Sequence, residues 1–492
     1  PNVLHLRGFA AYQLGKNDKA IALITKAINQ DPNNPIYNND LALALLAQSR
    51  LDEAMSCLTK VIQMKPEFVQ AHVNLGNILQ EQGRFDEAMA CYDKAQQLNP
   101  NDFFVHINLG NVLQGQGKFD EALSSYEKAV ALNPYLAQPY YNMGNALKEN
   151  GYPEAAIESY RQAVQINPDY AEAYDKIGII LKGKRPEKPI PGLPELILEL
   201  VEKKTYVRPR DIVAVAVRLL KFDPIIAGVF NRHLANGVEQ SLEQTISDLN
   251  GVPLLLKLMS VCPLPDLEME AVLTSIRSAV LLNISEVSQT TEILEFQTAL
   301  ALQCFTNEYV YEQTEAETEA LAALEKAVQK KLSNGQQPDP SAIACLASYK
   351  ALHEYSWCHR LVIPAALETL ERRQILEFEE EEKIRSEMPV LQEITNDISS
   401  KVRQQYEESP YPRWINLGLP LKPKPIHTIA EELKLRLADT SVNEIKAPQI
   451  LVAGCGTGQH AIYTASRFKG CTVLAIDLSL RSLAYAKRKT EE

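Results

Sequence analysis

Asn74-Leu75-Gly76-Asn77 returns as Asn108-Leu109-Gly110-Asn111 and again as Asn142-Met143-Gly144-Asn145, each time 34 residues further on. A fixed recurrence of that length is the signature of a solenoid built from helix-turn-helix units. Working outward from the motif, Pro32, Pro66, Pro100, Pro134 and Pro168 keep the same period. So do the small residues Gly8, Ala42, Gly76, Gly110, Gly144 and Gly178 on the first helix of each pair, and Ala20, Ala54, Ala88, Ala122 and Ala156 on the second. Small side chains at those places let neighbouring helices approach. The turns repeat as well, in Gly15-Lys16-Asn17-Asp18, Gly83-Arg84-Phe85-Asp86 and Gly117-Lys118-Phe119-Asp120. Each glycine suits a helix C-terminus, and each aspartate is expected to cap the helix that follows.

Over five full units this pattern resembles the tetratricopeptide repeat, with a sixth first helix before Gly183-Lys184-Arg185-Pro186, so that the array occupies 1–183. The resemblance implies a superhelix whose concave surface is lined by the first helices. Asn74 and Asn77, Asn108 and Asn111, and Asn142 and Asn145 stand at i and i+3, so each pair shares a helix face. Stacked along the array they form ladders of amides, able to donate to and accept from the main chain of an extended peptide. The other reading is that the motif is recurrent filler. The expected partner is an extended peptide or protein in the repeat groove.

A chain of 492 residues has room for about three domains. With 46% hydrophobic and 23% charged residues it reads as soluble and globular, and a formal charge of -12 argues against broad nucleic-acid binding. Its eight cysteines form no C-x-x-C pair and no zinc-like spacing, so no metal is expected and a reducing, cytoplasmic setting is. No apolar run is long enough to span a bilayer. Because the sequence opens at Pro1 inside a repeat and ends after two strands of a larger sheet, we read it as truncated at both ends. The acidic run 379–382 and the basic cluster Arg481, Lys487, Arg488 and Lys489 each read as the solvated face of a helix.

Residues 184–194, with four prolines, read as a linker. A nonrepetitive helical domain follows over 195–415, with helices expected at 195–204, 210–220, 242–249, 268–284, 292–306, 315–332 and 341–355. His353 and His359 bracket Trp357 and Cys358 but lack a third ligand at a suitable spacing, so they read as core or surface residues. Two aromatic and polar stretches stand out, Phe305-Thr306-Asn307-Glu308-Tyr309-Val310-Tyr311 and Tyr406-Glu407-Glu408-Ser409-Pro410-Tyr411-Pro412-Arg413-Trp414. The second is read either as a lid over a ligand or as a loop that packs the last helix onto the sheet. A second linker and a helix fill 416–440.

In 441–492 the run Ile450-Leu451-Val452-Ala453 enters Gly454-Cys455-Gly456-Thr457-Gly458, helical composition follows over 459–468, and Asp477 closes a second strand, 472–476. Strand, glycine loop, helix and distant acid make one ligand site. With Asp477-Leu478-Ser479 and the helical Leu483-Ala484-Tyr485-Ala486, the segment resembles the class I S-adenosylmethionine-dependent methyltransferases. The resemblance implies the first βαβ part of a Rossmann-like α/β domain and S-adenosylmethionine as cofactor. Gly454, Cys455, Gly456, Thr457 and Gly458 would line it, and Asp477, with Leu478 beside it, would hold its ribose. Val452 departs from the pattern, standing where the family often carries an acid. Gly456-Thr457-Gly458-Gln459-His460-Ala461 also fits the G-x-G-x-x-A loop of dinucleotide-binding folds. The later strands that would carry substrate groups are outside the sequence, so no catalytic residue is named.

The expected architecture is mainly α: a repeat superhelix, a helical middle domain and the start of an α/β domain. The expected function is a methyltransferase whose repeat array recruits a protein or peptide. The alternative is a noncatalytic scaffold with a nucleotide-sensing or inactive Rossmann-like domain.

Overall fold

Each second helix of the array stops two residues short of a periodic proline: Asn17–Gln30 before Pro32, Leu51–Met64 before Pro66, Phe85–Leu98 before Pro100, Phe119–Leu132 before Pro134 and Pro153–Ile166 before Pro168. The proline ring excludes helical backbone from the residue ahead of it, which ends the helix at that place in every repeat. These bounds come from a computed structural model that describes residues 1–203, 207–234, 242–390, 401, 403–404, 414–415, 417–420, 422–432, 434 and 440–491. The chain forms two compact units, Pro1–Ile177 and Gly178–Glu492.

In the first unit the partner helices are Asn2–Gln13, Pro35–Leu46, Val69–Glu81, Phe103–Gly115 and Ala137–Glu149, and a further first helix, Ala171–Leu181, begins at its end. The turn inside each pair needs one left-handed residue. Gly15, Gly83, Gly117 and Gly151 supply it with φ of 69°, 73°, 77° and 87°, and Ser49 takes the same conformation at φ 59° in the second repeat. The periodic small residues do what their size suggests. A Cβ on Gly76, Gly110 or Gly144 would fall 2.7, 2.4 or 2.5 Å from a ring carbon of Tyr92, Tyr126 or Tyr160. Ala20, Ala54, Ala88, Ala122 and Ala156 are fully buried.

The turn aspartates differ from expectation. The second helices that start at Asn17, Leu51, Phe85 and Phe119 have no side-chain cap. Instead Asp18, Asp86 and Asp120 accept from the amides of Gln48, Gln116 and Asn150 in the next repeat, at 2.6, 3.0 and 3.2 Å. The amide one repeat on satisfies the carboxylate, and the bond joins neighbours rather than closing a cap.

Among its described residues the second unit is helical up to residue 387, with the expected Leu193–Glu202, Pro209–Leu220, Leu242–Asn250, Leu267–Leu282, Thr291–Thr306 and Glu315–Ser333. Thr314 and Glu317 close a reciprocal capping box at the head of the last of these. Two short helices, Pro224–Leu234 and Pro253–Val261, were not expected; each opens on a proline at its first position, a start signal that periodicity alone passes over. The helix expected over 341–355 is shorter, Pro340–Ala347. The N–H groups of Ser348 and Tyr349 bond three residues back, to Cys345 and Leu346, and the Leu352 N–H goes to the side chain of Gln374, so the α-helical ladder ends there. Three 3₁₀ turns follow, and then Glu368–Glu371, a π-helical segment Arg372–Leu376 and Glu377–Glu387 run on without a break. The core here gathers Ile343, Leu346, Leu352, Trp357, Leu367 and Leu370.

Beyond these helices lie Ile426–Glu432 and the two parallel strands β1 (Gln449–Ala453) and β2 (Thr472–Ile476), paired from Gln449 with Thr472 to Ala453 with Ile476. The helix Gln459–Arg467 connects them, and the closing helix is Leu480–Glu491. Parallel strands cannot be joined by a hairpin, so the crossover helix follows from the pairing. No helix among the described residues is long and apolar enough to cross a membrane.

Candidate functional site

The asparagines of the first helices line up along the array and bond in pairs across neighbouring repeats. Asn77 Oδ1 accepts from the Tyr92 hydroxyl at 2.6 Å and from Asn108 Nδ2 at 3.1 Å. One repeat on, Asn111 Oδ1 accepts from Tyr126 at 2.9 Å and from Asn142 Nδ2 at 2.9 Å. Asn145 Oδ1 accepts from Tyr160 at 2.8 Å. Burial drives the phenols of these three tyrosines well above the ordinary range, so they stay protonated donors. With their oxygens taken, Asn77, Asn111 and Asn145 have NH₂ groups without a partner among the described residues; Asn77 is exposed and the other two are half-buried. Asn74 is different: it is buried and bonded to Asn39 and Gln70, a strut rather than a contact surface. The tyrosines are the signal that the sequence reading missed. They recur at the 34-residue period, 15 residues after each asparagine that they hold.

The glycine loop lies between β1 and its crossover helix. Gly454, Gly456 and Gly458 all take positive φ, at 66°, 51° and 84°. The space that a Cβ on Gly454 would enter is open to 4 Å, whereas one on Gly458 would meet Ala486 Cβ at 2.5 Å. The first glycine therefore leaves room against the backbone, and the last serves the packing of the closing helix. Asp477 stands at the tip of β2, its carboxylate oriented by the N–H groups of Gly456 at 2.8 Å and Ser479 at 2.9 Å. Each oxygen keeps a lone pair for a ligand hydroxyl. Leu478 is 42% exposed beside it. Cys455 is buried, and burial followed by the charge of Asp477 pushes its thiol up to about 11, which leaves it no nucleophile at neutral pH. Val452 is buried in the core with Cys455 and Ala461, so an apolar contact replaces the acid that the resemblance implies.

Family models described as tetratricopeptide repeat or TPR repeat match residues 6–60, 69–102, 115–151 and 137–170. This part of the chain is a tetratricopeptide-repeat array. Among solved structures it is similar to "Crystal structure of MamA", at 23% identity and a TM-score of 0.31, covering 34% of this chain and 96% of that one. It is also similar to TTC0263, a thermophilic TPR protein in Thermus thermophilus, at 19% identity and a TM-score of 0.33, covering 37% and 98%. No curated protein matches the chain.

The charge clusters beside the glycine-loop segment correct the sequence reading. The acidic run and the basic cluster, expected to be separate solvated faces, meet. Arg488 is 2% exposed and bonds Glu381, itself 3% exposed, at 3.0 Å and Glu377 at 2.9 Å. Arg481 reaches Glu382 at 3.6 Å. Trp414 docks on the glycine loop, its indole N–H donating to the Thr457 carbonyl at 2.9 Å. The preceding aromatic stretch, Tyr406 to Arg413, lies outside the described residues. Of the two histidines that bracket Trp357, His353 bonds the Gln374 carbonyl and stacks on Phe378, and His359 is exposed.

Proposed function

We propose that the tetratricopeptide-repeat array holds an extended segment of a protein partner through its row of asparagine amides, and that the C-terminal segment binds S-adenosylmethionine for methyl transfer to that partner. The observation that carries the first part is the tyrosine-locked row. A fixed amide gives up little freedom on binding, and three NH₂ groups repeated on one surface match the carbonyls of an extended chain. The oxygens of Asn108 and Asn142 can accept from its N–H groups. Peptides selected on the full chain from a display library should lose most of their affinity when Asn77, Asn111 and Asn145 are changed to Ala. Indifference would make the row structural filler.

The second part rests on the resemblance of the loop and on the open space over Gly454. S-adenosylmethionine would supply the methyl group. Gly454 and Gly456 would lie along its methionine part, and Asp477 would accept from its ribose hydroxyls. Eight free thiols accord with a reducing compartment, and we assign the protein to the cytoplasm. A second reading, a scaffold with a nucleotide-sensing or inactive domain, is favoured by Val452, which offers no acid at its place in the loop's first strand. Calorimetric titration of S-adenosylmethionine and, separately, NAD separates these. Heat with the first alone supports the methyltransferase, with NAD alone redox chemistry, and with neither the scaffold.

A further inference from the structure

We propose that Trp414 positions the glycine loop for its ligand, so that docking of this indole and occupancy of the site are coupled; this rests on the reading of the loop as a ligand site. The backbone of the loop is held mainly from within. Gly454 and Cys455 donate to the Ile476 carbonyl at 2.8 and 3.2 Å, Gly456 to Asp477, and Gly458 to the Cys455 carbonyl at 3.0 Å. Thr457 lies between two glycines of positive φ, 51° on one side and 84° on the other. A peptide group flanked by glycines meets the weakest steric control, so its direction is set by what bonds its oxygen. That bond comes from outside the βαβ unit, from Trp414 Nε1 at 2.9 Å.

Trp414 is held in its turn. Its N–H donates to the Tyr485 hydroxyl at 2.9 Å, that hydroxyl donates to the Trp414 carbonyl, and the two rings meet edge to face with centroids 5.8 Å apart. The Lys489 ammonium stands 5.7 Å from the indole centroid. One side chain thus joins the segment before the sheet, the loop and the closing helix. A ligand lying along the loop meets peptide groups whose direction Trp414 selects. By linkage, any effect of the indole on ligand affinity is matched by an equal effect of the ligand on the docking of the indole.

The protein carries two tryptophans, and the other, Trp357, is buried in the middle domain without a partner for its N–H. Trp357→Phe therefore leaves Trp414 as the sole indole emitter and breaks no hydrogen bond. In that variant, titration with S-adenosylmethionine should shift the emission with the same midpoint as the calorimetric curve. Trp414→Phe keeps a ring and removes the N–H, and affinity should fall about tenfold, the effect of one hydrogen bond, with little change in thermal midpoint. Tyr485→Phe, which loosens Trp414 but keeps its indole N–H, should give a smaller loss in the same direction and serves should Trp414→Phe unfold the segment. Binding by calorimetry with no change in emission, and wild-type affinity in both variants, overturns the proposal and reduces Trp414 to packing. Absence of binding to the unaltered protein instead removes the ligand reading on which the proposal rests.

Discussion

In the repeat array, side-chain bonds inside a repeat connect residues 12 or 15 apart, and those to the next repeat connect residues 30, 31 or 35 apart. In the second unit comparable bonds also occur at such separations, but the longest connect residues 71, 107, 111 and 113 apart. The first pattern makes a quasi-one-dimensional object, whose stability is close to a sum of repeats and their interfaces. The second closes long loops, so each bond ties together segments distant in the chain. Damage should stay local in one unit and spread through the other.

The sharpest test of that contrast is Arg488→Met. The substitution leaves Glu381 buried without its cation, which costs about 3 to 5 kcal/mol. In hydrogen exchange on the full chain, Glu377–Glu387 and Leu480–Glu491 should lose protection together although 107 residues separate the bonded pair. The repeat helices should exchange as before. Replacing Glu377 by Gln and Glu381 by Leu in the same chain should recover much of the loss, because the uncompensated charge is gone. Equal loss of protection in the array would break the comparison.

Gly110→Ala is the matching lesion inside the array. The new Cβ would stand 2.4 Å from Tyr126 Cε1, and the ring cannot step aside because it is fully buried and its hydroxyl is held by Asn111 and Gln114. Overpacking of this kind costs about 1 to 3 kcal/mol. Exchange should quicken in Phe103–Gly115, Phe119–Leu132 and the pairs on either side, and nowhere else.

The same contrast explains which parts were legible in the sequence. In the array each role is written several times over, so Gly76, Gly110 and Gly144 identify one another and the period alone gives the helices. Even there the aspartates misled, because their competitor for the cap is an amide in the next repeat. In the second unit, Arg488 and Glu381 looked like solvated charges because each helix was read alone, and no periodicity points from one to the other. The glycine loop was legible because its demands are local. Gly458 was only half read: Ala486 and a ligand require the same absence of a Cβ, and sequence cannot tell them apart. The short proline-led helices carry too few turns for a period to be seen.

The smallest expected effect sharpens the comparison furthest. Tyr126→Phe removes the hydroxyl that bonds Asn111 and Gln114, at about 0.5 to 1.5 kcal/mol. Tyr92→Phe and Tyr160→Phe remove its counterparts one repeat before and one after. If the array is one-dimensional, the triple variant should lose the sum of the three single losses, within about 0.3 to 0.5 kcal/mol for sites without shared partners. Among the described residues no partner is bonded by two of these tyrosines, but Asn77 bonds Asn108 and Asn111 bonds Asn142, each on the first helix of the next repeat. A triple loss above the sum would therefore measure how far the asparagine row passes strain along the groove. Alkaline pH gives an independent reading. All three phenols titrate higher when folded, so their contribution is constant below the ordinary phenol pKa of about 10 and falls above it, as the unfolded chain ionises first. The triple variant should lose that part of the alkaline slope, whether or not the three hydroxyls act as one.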